Sequence, residues 1–215
     1  MHIVITGAAR GIGRNMAVGA LARGWQVTAT VRQAGDAPVG AAELVADMRD
    51  LDSLARVCAG LRKVNVLINN AGIIGPARQA TLDMDFAGFA ETLAVNTLAP
   101  LAMAQAVLPA MQAGGRILTI SSQMAWMGYA KSDRIAYRAS KAAVNKVMQG
   151  LATDLRPRGI AVLLIDPGWV RTDMGGPEAE EDPESVASGV LDLAARLDIT
   201  QTGQFLRWTG EQREF

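Results

Sequence analysis

A tyrosine and a lysine stand four residues apart in Tyr137-Arg138-Ala139-Ser140-Lys141, which puts both on one face of a helix. A free tyrosine, with a pKa of about 10, is a poor acid or base near neutrality. A neighbouring ammonium favours the phenolate and lowers that pKa, so the pair makes a sensible general acid/base unit. Ser121-Ser122 closes the apolar run Ile117–Ile120, and Ser122 precedes Tyr137 by 15 residues. A single loop of that length returns the chain so that both hydroxyls surround one carbonyl oxygen. Asn69-Asn70-Ala71-Gly72 closes another apolar run. Asn96 lies inside an uncharged stretch, where a buried amide must find partners. Satisfying the backbone and serving the site are both open to it. The one histidine is His2 and the one cysteine is Cys58. A Ser-His-Asp triad, HExxH metal chemistry, a cysteine-built zinc site and an internal disulfide are therefore excluded.

A second group of residues suits a phosphate. Thr6-Gly7-Ala8-Ala9-Arg10-Gly11-Ile12-Gly13 follows a β-branched run and opens a helical one. Glycines there let the backbone turn sharply and approach a pyrophosphate, held by the free N–H groups and positive dipole of the helix N-terminus. The next strand ends Thr30-Val31-Arg32, and the first acid after it is Asp36. Dinucleotide binders that take NAD place a carboxylate at this position, whereas those that take NADP supply a cation for the 2′-phosphate. Arg32 and Arg10, with no carboxylate, favour NADP(H), with NAD(H) still possible.

These residues need a frame, and the hydrophobic pattern supplies one. Strands are expected at Ile3–Thr6, Trp25–Val31, Glu43–Ala46, Val64–Asn69, Gly115–Ser121, Ile160–Asp166 and Gln204–Trp208. Helices are expected at Gly11–Arg23, Asp50–Leu61, Asp85–Met111, Ile135–Arg156 and Pro183–Leu197. Alternation of this kind predicts an α/β fold, a Rossmann-type doubly wound parallel sheet of about seven strands with helices on both faces. The stretches at 35–40 and 175–182 are too short to separate domains, so residues 1–215 are expected to form one dinucleotide-binding domain, with a short substrate loop near 173–183.

Composition narrows the partners. The 215 residues are 50% hydrophobic and 20% charged, an ordinary globular balance. Lys plus Arg and Asp plus Glu each number 21, so no global field draws the chain to nucleic acid or an anionic membrane. Thr92–Gly115 carries no charge, but Asn96, Pro100, Gln105, Pro109 and Gln112 interrupt it. It reads as a helix buried over most of its circumference and not as a membrane span. The N-terminus lacks the basic and apolar regions of a signal peptide, and the cytoplasm is the expected compartment.

Taken in order, Thr6-Gly7-(x)3-Gly11-Ile12-Gly13, Asp47, Asn69-Asn70-Ala71-Gly72, Asn96, Ser122, Tyr137-(x)3-Lys141 and Pro167-Gly168-Trp169-Val170-Arg171-Thr172 resemble the marks of the short-chain dehydrogenases/reductases over essentially the whole chain. The stretches Tyr137–Asn145 and Pro167–Gly176 are most similar to the small C-factor-like branch. The resemblance implies an NADP(H)-dependent oxidoreductase acting between a carbonyl and an alcohol carbon of a small, apolar substrate. It implies that Tyr137 protonates the carbonyl oxygen and Ser122 orients it. Lys141 lowers the Tyr137 pKa and binds the nicotinamide ribose, and Asn96 holds a water of a proton relay. Gly7, Ala9, Arg10, Gly11, Ile12 and Gly13 would hold the phosphates. Asp47 would meet the adenine amino group, with Met48 beside it, and Asn70, Ala71 and Gly72 would line the adenosine side. Pro167, Gly168, Val170 and Thr172 would hold the nicotinamide carboxamide. A homodimer or homotetramer built on the helices Thr92–Met111 and Ile135–Arg156 is implied as well. The same branch implies an alternative, a cofactor-binding signalling or sensor protein in which partner binding outweighs turnover.

Two segments depart from the family pattern. The loop Gln123–Arg134 is enlarged and carries Met124, Trp126, Met127 and Tyr129, which either line a pocket or form a lid on the sheet edge. The segment between Thr172 and Pro183 is short and acidic, implying a more open site or simply a solvated turn.

Overall fold

Runs of Val, Ile and Leu too short for helices pair side by side, and the amphipathic stretches between them cross back over the faces. The computed structural model describes all residues, Met1–Phe215. The elements are β1 (His2–Ile5), α1 (Gly11–Ala22), β2 (Gln26–Val31), β3 (Ala42–Val45), α2 (Leu51–Cys58), β4 (Val64–Asn69), a hairpin of β5 (Gln79–Ala80) and β6 (Asp83–Met84), α3 (Phe86–Leu93), α4 (Ala99–Val107), β7 (Met111–Ile120), α5 (Ile135–Leu155), β8 (Ala161–Asp166), α6 (Pro183–Arg196) and β9 (Phe205–Arg207). Seven strands form one parallel sheet in the order β3-β2-β1-β4-β7-β8-β9. The order reverses between β1 and β4, and ligands of open α/β sheets bind at the carboxyl edge of such a reversal.

Register sorts the core into two layers. Ile5, Ile68, Leu118 and Leu163 are paired across four strands and all face the α1/α6 side. Their neighbours Val4, Leu67, Ile117 and Val162 form the next row and face the α2/α4/α5 side. All eight are at most 1% exposed. Each contributes about 2 kcal/mol of burial, so the sheet centre is a rigid base for the loops at its carboxyl edge.

The long helix expected at Asp85–Met111 is interrupted. Its hydrogen bonding widens by one residue through Ala94–Leu98 before α4 resumes, and Leu108–Ala110 tightens into a 3₁₀ turn. Asn96 sits in the widened turn, a feature enriched at functional sites. By length and composition Phe86–Ala110 could cross a membrane, and 44% of its most apolar window is buried. Burial is therefore one-sided, not over most of the circumference as expected, and Leu98 stays 48% exposed. The strand placed at Gly115 starts earlier, at Met111, because Gln112–Gly115 bulges between the pairings Val64–Met111 and Val66–Arg116. The helix α2 stops at Cys58 and not at Leu61, and the β5–β6 hairpin has no counterpart in the expected elements.

Candidate active site

The turn from β1 into α1 is built on two left-handed glycines, Gly7 (φ +68°) and Gly11 (φ +56°). No side chain caps α1 and no acid lies in its first turn, so its leading N–H groups face outward unclaimed. The Thr6 hydroxyl accepts from the N–H groups of Asn70 (2.9 Å) and Ala71 (3.0 Å), and the Asn70 amide donates back to the Thr6 carbonyl (2.9 Å). These bonds lock the turn to the end of β4. Gly13 belongs to the lock and not to the cleft wall. A Cβ there would come within 2.3 Å of the Gly7 carbonyl oxygen and 2.4 Å of the Asn70 side-chain nitrogen.

Along the carboxyl edge runs a cleft of about 850 Å³. Arg32, Asp47 and Met48 line one end, and Ser122, Tyr137 and Lys141 line the other. Between them lie Gly7, Ala9, Arg10, Gly11 and Ile12 on one side, with Asn70, Ala71 and Gly72. Pro167, Gly168, Val170 and Thr172 form the facing wall. Of the catalytic and cofactor-binding residues expected from the sequence, Gly13 and Asn96 alone stand behind the wall.

Two charged side chains are engaged differently from expectation. Both Asp47 carboxylate oxygens are taken by Arg49 (3.0 and 2.5 Å), which holds the carboxyl below its usual pKa, with a smaller push from Arg32. Asp47 therefore faces a guanidinium instead of standing free for an amino group. The pair is exposed and screened by solvent. Arg10 pairs with Asp173 (3.0 Å), whereas Arg32 and Arg49 line the cleft at the Asp47 end.

At the other end, Ser121 is spent on structure: its hydroxyl donates to the Asn145 side-chain oxygen at 2.6 Å. Ser122 accepts from the Met124 N–H (3.1 Å) and lies beside the Tyr137 phenol, favouring its ionised form. The Lys141 ammonium lies 5.7 Å from the Tyr137 ring centre and donates to the Ile120 carbonyl at 2.8 Å. Burial dominates both groups. It pushes Tyr137 up to about 12, opposed by Ser122 and by the charge of Arg134, and pushes Lys141 down to about 8. The expected lowering of the Tyr137 pKa by Lys141 is absent here, because the ammonium is turned to a carbonyl and desolvation of the phenol outweighs the favourable groups.

Asn96 is satisfied on every side. Its oxygen accepts from the Ile73 N–H (2.9 Å), and its amide donates to the Ile73 carbonyl (2.8 Å) and the Ser140 hydroxyl (3.0 Å). It thereby ties the segment after β4 to α5, next to Lys141. The sequence reading missed three residues. Gln79, from the short hairpin, accepts from the Tyr137 N–H (3.2 Å) and donates to the carbonyls of Ile74 and Pro76. Arg49 lines the cleft beside Asp47. Asp166, fully buried, accepts from the N–H groups of Gln123 (3.1 Å) and Gly168 (3.0 Å). A carboxylate ending an apolar strand was the available signal for Asp166, since a buried charge demands partners. Gln79 and Arg49 carry no such signal. In the enlarged loop, Met124 lines the cleft, whereas Trp126 and Tyr129 stack edge to face on each other at 4.9 Å and Met127 is 80% exposed.

The cleft fits a dinucleotide: an uncapped helix N-terminus for a pyrophosphate, two left-handed glycines in the turn that leads into it, and a cation beside the second strand. Comparison with known proteins agrees. Residues 1–183 match the model of the family described as short chain dehydrogenase. The C-signal protein of Myxococcus xanthus is 39% identical over 160 residues, 73% of this chain and 94% of its own. The carbonyl reductase Sniffer of D. melanogaster superposes with a TM-score of 0.91 at 28% identity, covering 100% of this chain and 99% of that one. The NADPH-bound carbonyl reductase from chicken fatty liver gives 0.88 at 27% identity, covering 100% and 98%. With that sheet order, that glycine turn and these relatives, the chain belongs to the short-chain dehydrogenase/reductase family, close to the C-factor branch.

Proposed function

We propose that the protein is an NADP(H)-dependent carbonyl reductase, reversible as an alcohol dehydrogenase. The observation that carries this reading is a single cleft with an uncapped helix N-terminus and Arg32 toward one end and Ser122, Tyr137 and Lys141 at the other. The bound nicotinamide supplies the hydride. The chain's own residues do the rest. Gly7 to Ile12 and the first turn of α1 hold the pyrophosphate, and Arg32 meets the 2′-phosphate. Pro167, Gly168, Val170 and Thr172 hold the carboxamide side, and Lys141 holds the ribose. The hydroxyls of Ser122 and Tyr137 converge on the substrate carbonyl oxygen. Tyr137, protonated throughout the neutral range, gives its proton to the forming alkoxide. Asn96 acts through Ser140 and Ile73, fixing the helix turn from which Lys141 projects. Met124, Trp169 and Met174 offer the substrate an apolar wall, and Lys131 and Arg134 lie at the same end.

The assay is oxidation of NADPH, and separately NADH, by purified protein against a panel of aldehydes, ketones and quinones. Turnover with NADPH favoured supports the reading, and inertness across the whole panel rejects it. The similarity to the C-signal protein favours a second reading, a cofactor-dependent signalling protein. Partner capture that requires NADP(H) yet survives Tyr137→Phe would select it. Exposed Phe86 (78%) and Leu98 (48%) on the α3–α4 layer support assembly as a homodimer or homotetramer, which light scattering resolves.

A further inference from the structure

The matched family region ends at residue 183, yet the last nine residues of the chain reach back to the catalytic edge. A tight hairpin after β9 is closed by Arg207 N–H to the Glu211 carbonyl (2.7 Å) and Arg213 N–H to the Phe205 carbonyl (2.8 Å). It sets two arginine side chains against two carboxylates. Arg213 donates to Asp166 at 3.0 Å, and Arg207 pairs with Glu181. Both acids are largely hidden, Asp166 at 0% and Glu181 at 16% exposure.

The two acids flank one short segment. One Asp166 oxygen takes the N–H groups of Gln123 and Gly168, and the other takes Arg213. The Glu181 backbone brackets the segment from the other side, donating to the Trp169 carbonyl (2.9 Å) and accepting from the Arg171 N–H (3.0 Å). Its side chain fills the space a Cβ would need at Gly168, which has φ +74°. Gln123 directly follows Ser122, and Gly168 lies in the wall opposite it. Arg213 takes the second Asp166 oxygen, so the carboxyl group is held in the orientation that offers its first oxygen to both N–H groups.

We infer that Arg213 and Arg207 are positioning residues of the active site. Acting through Asp166 and Glu181, they set the Ser122 turn and the Pro167–Thr172 wall that faces the nicotinamide. This inference rests on the functional reading above. It predicts a split between the two ends of the cofactor, since the clamp touches the nicotinamide half of the cleft and leaves the phosphate turn and Arg32 alone.

The test is titration of full-length Arg213→Gln with NADP⁺ and with 2′,5′-ADP, which lacks the nicotinamide half, alongside steady-state kinetics. The Kd for NADP⁺ is expected to rise about tenfold and kcat to fall about tenfold or more. The Kd for 2′,5′-ADP should stay within about twofold, and Arg213→Lys should recover most of the loss. Equal weakening of both ligands, or of neither, overturns the inference. Should Arg213→Gln fail to fold, Arg207→Gln, which strands a less buried acid, carries the same test, and no split there overturns it. Wild-type protein that binds neither ligand would overturn the functional reading instead.

Discussion

Replacing Lys141 with Met should stabilise the protein near neutrality while disabling it. Lys141 is 4% exposed, and burial lowers its pKa from 10.5 to about 8. A lowered lysine pKa means that the unfolded chain binds the proton more tightly than the folded one. Below pH 8 the native state carries the ammonium at a disadvantage. With 1.36 kcal/mol per pKa unit, that disadvantage is about 3 kcal/mol at pH 7 and about 1 kcal/mol at pH 9.5, vanishing above the unfolded value. Stability of the wild type should thus rise with pH across this window from this group. Met keeps most of the apolar stem without the charge, but it loses the bond to the Ile120 carbonyl, worth about 1 kcal/mol. Lys141→Met should then gain about 2 kcal/mol at pH 7 and nothing at pH 9.5. The upper limit stays below pH 10, where ionisation of Tyr137 in the unfolded chain begins to lower stability in its own right. Urea unfolding at the two pH values measures the difference. A variant destabilised equally at both would refute the claim that burial of an ammonium dominates this part of the site.

Three further outcomes follow from the geometry. Gly13→Ala forces a Cβ to within 2.3 Å of the Gly7 carbonyl oxygen, so stability should drop by about 1–3 kcal/mol and dinucleotide affinity should fall with it, read by thermal unfolding and titration. Asn96→Ala strands the Ile73 N–H and carbonyl and should destabilise by about 3 kcal/mol in denaturant unfolding. Arg32→Gln should raise KM for NADPH about 10- to 150-fold and leave KM for NADH near its wild-type value, since removing a charge-assisted bond to a phosphate costs about 1.5–3 kcal/mol. An equal change for both cofactors would remove Arg32 from the 2′-phosphate site.

The central strands and the βα turn were legible because their cause is local: apolar runs bounded by glycine and asparagine leave few alternatives. The Ser122, Tyr137 and Lys141 set was legible for the same reason, through spacing on one helix and one strand end. The direction of the Tyr137 pKa was not. Helical spacing puts Lys141 on the right face, but which acceptor its ammonium takes depends on the Ile120 carbonyl, supplied by another element. The break in the long helix was hidden because its composition is continuous, and the widening at Asn96 accompanies contacts to Ile73 and Ser140 far along the chain. The strand start expected at Gly115 missed Met111, because the bulge that separates the two pairings depends on β4. Arg207 and Arg213 look like surface charges until the hairpin after β9 brings them to Asp166 and Glu181.

The central claim is that Tyr137 delivers a proton to a carbonyl oxygen reduced by NADPH in this cleft. The most direct measurement is NADPH binding and carbonyl turnover on the same preparations of wild type and Tyr137→Phe. NADPH affinity is expected to change by less than about threefold while kcat falls by about 10²–10⁴-fold, the usual share of a positioned general acid. Turnover by Tyr137→Phe within a few-fold of wild type, at matched NADPH saturation, would contradict the account.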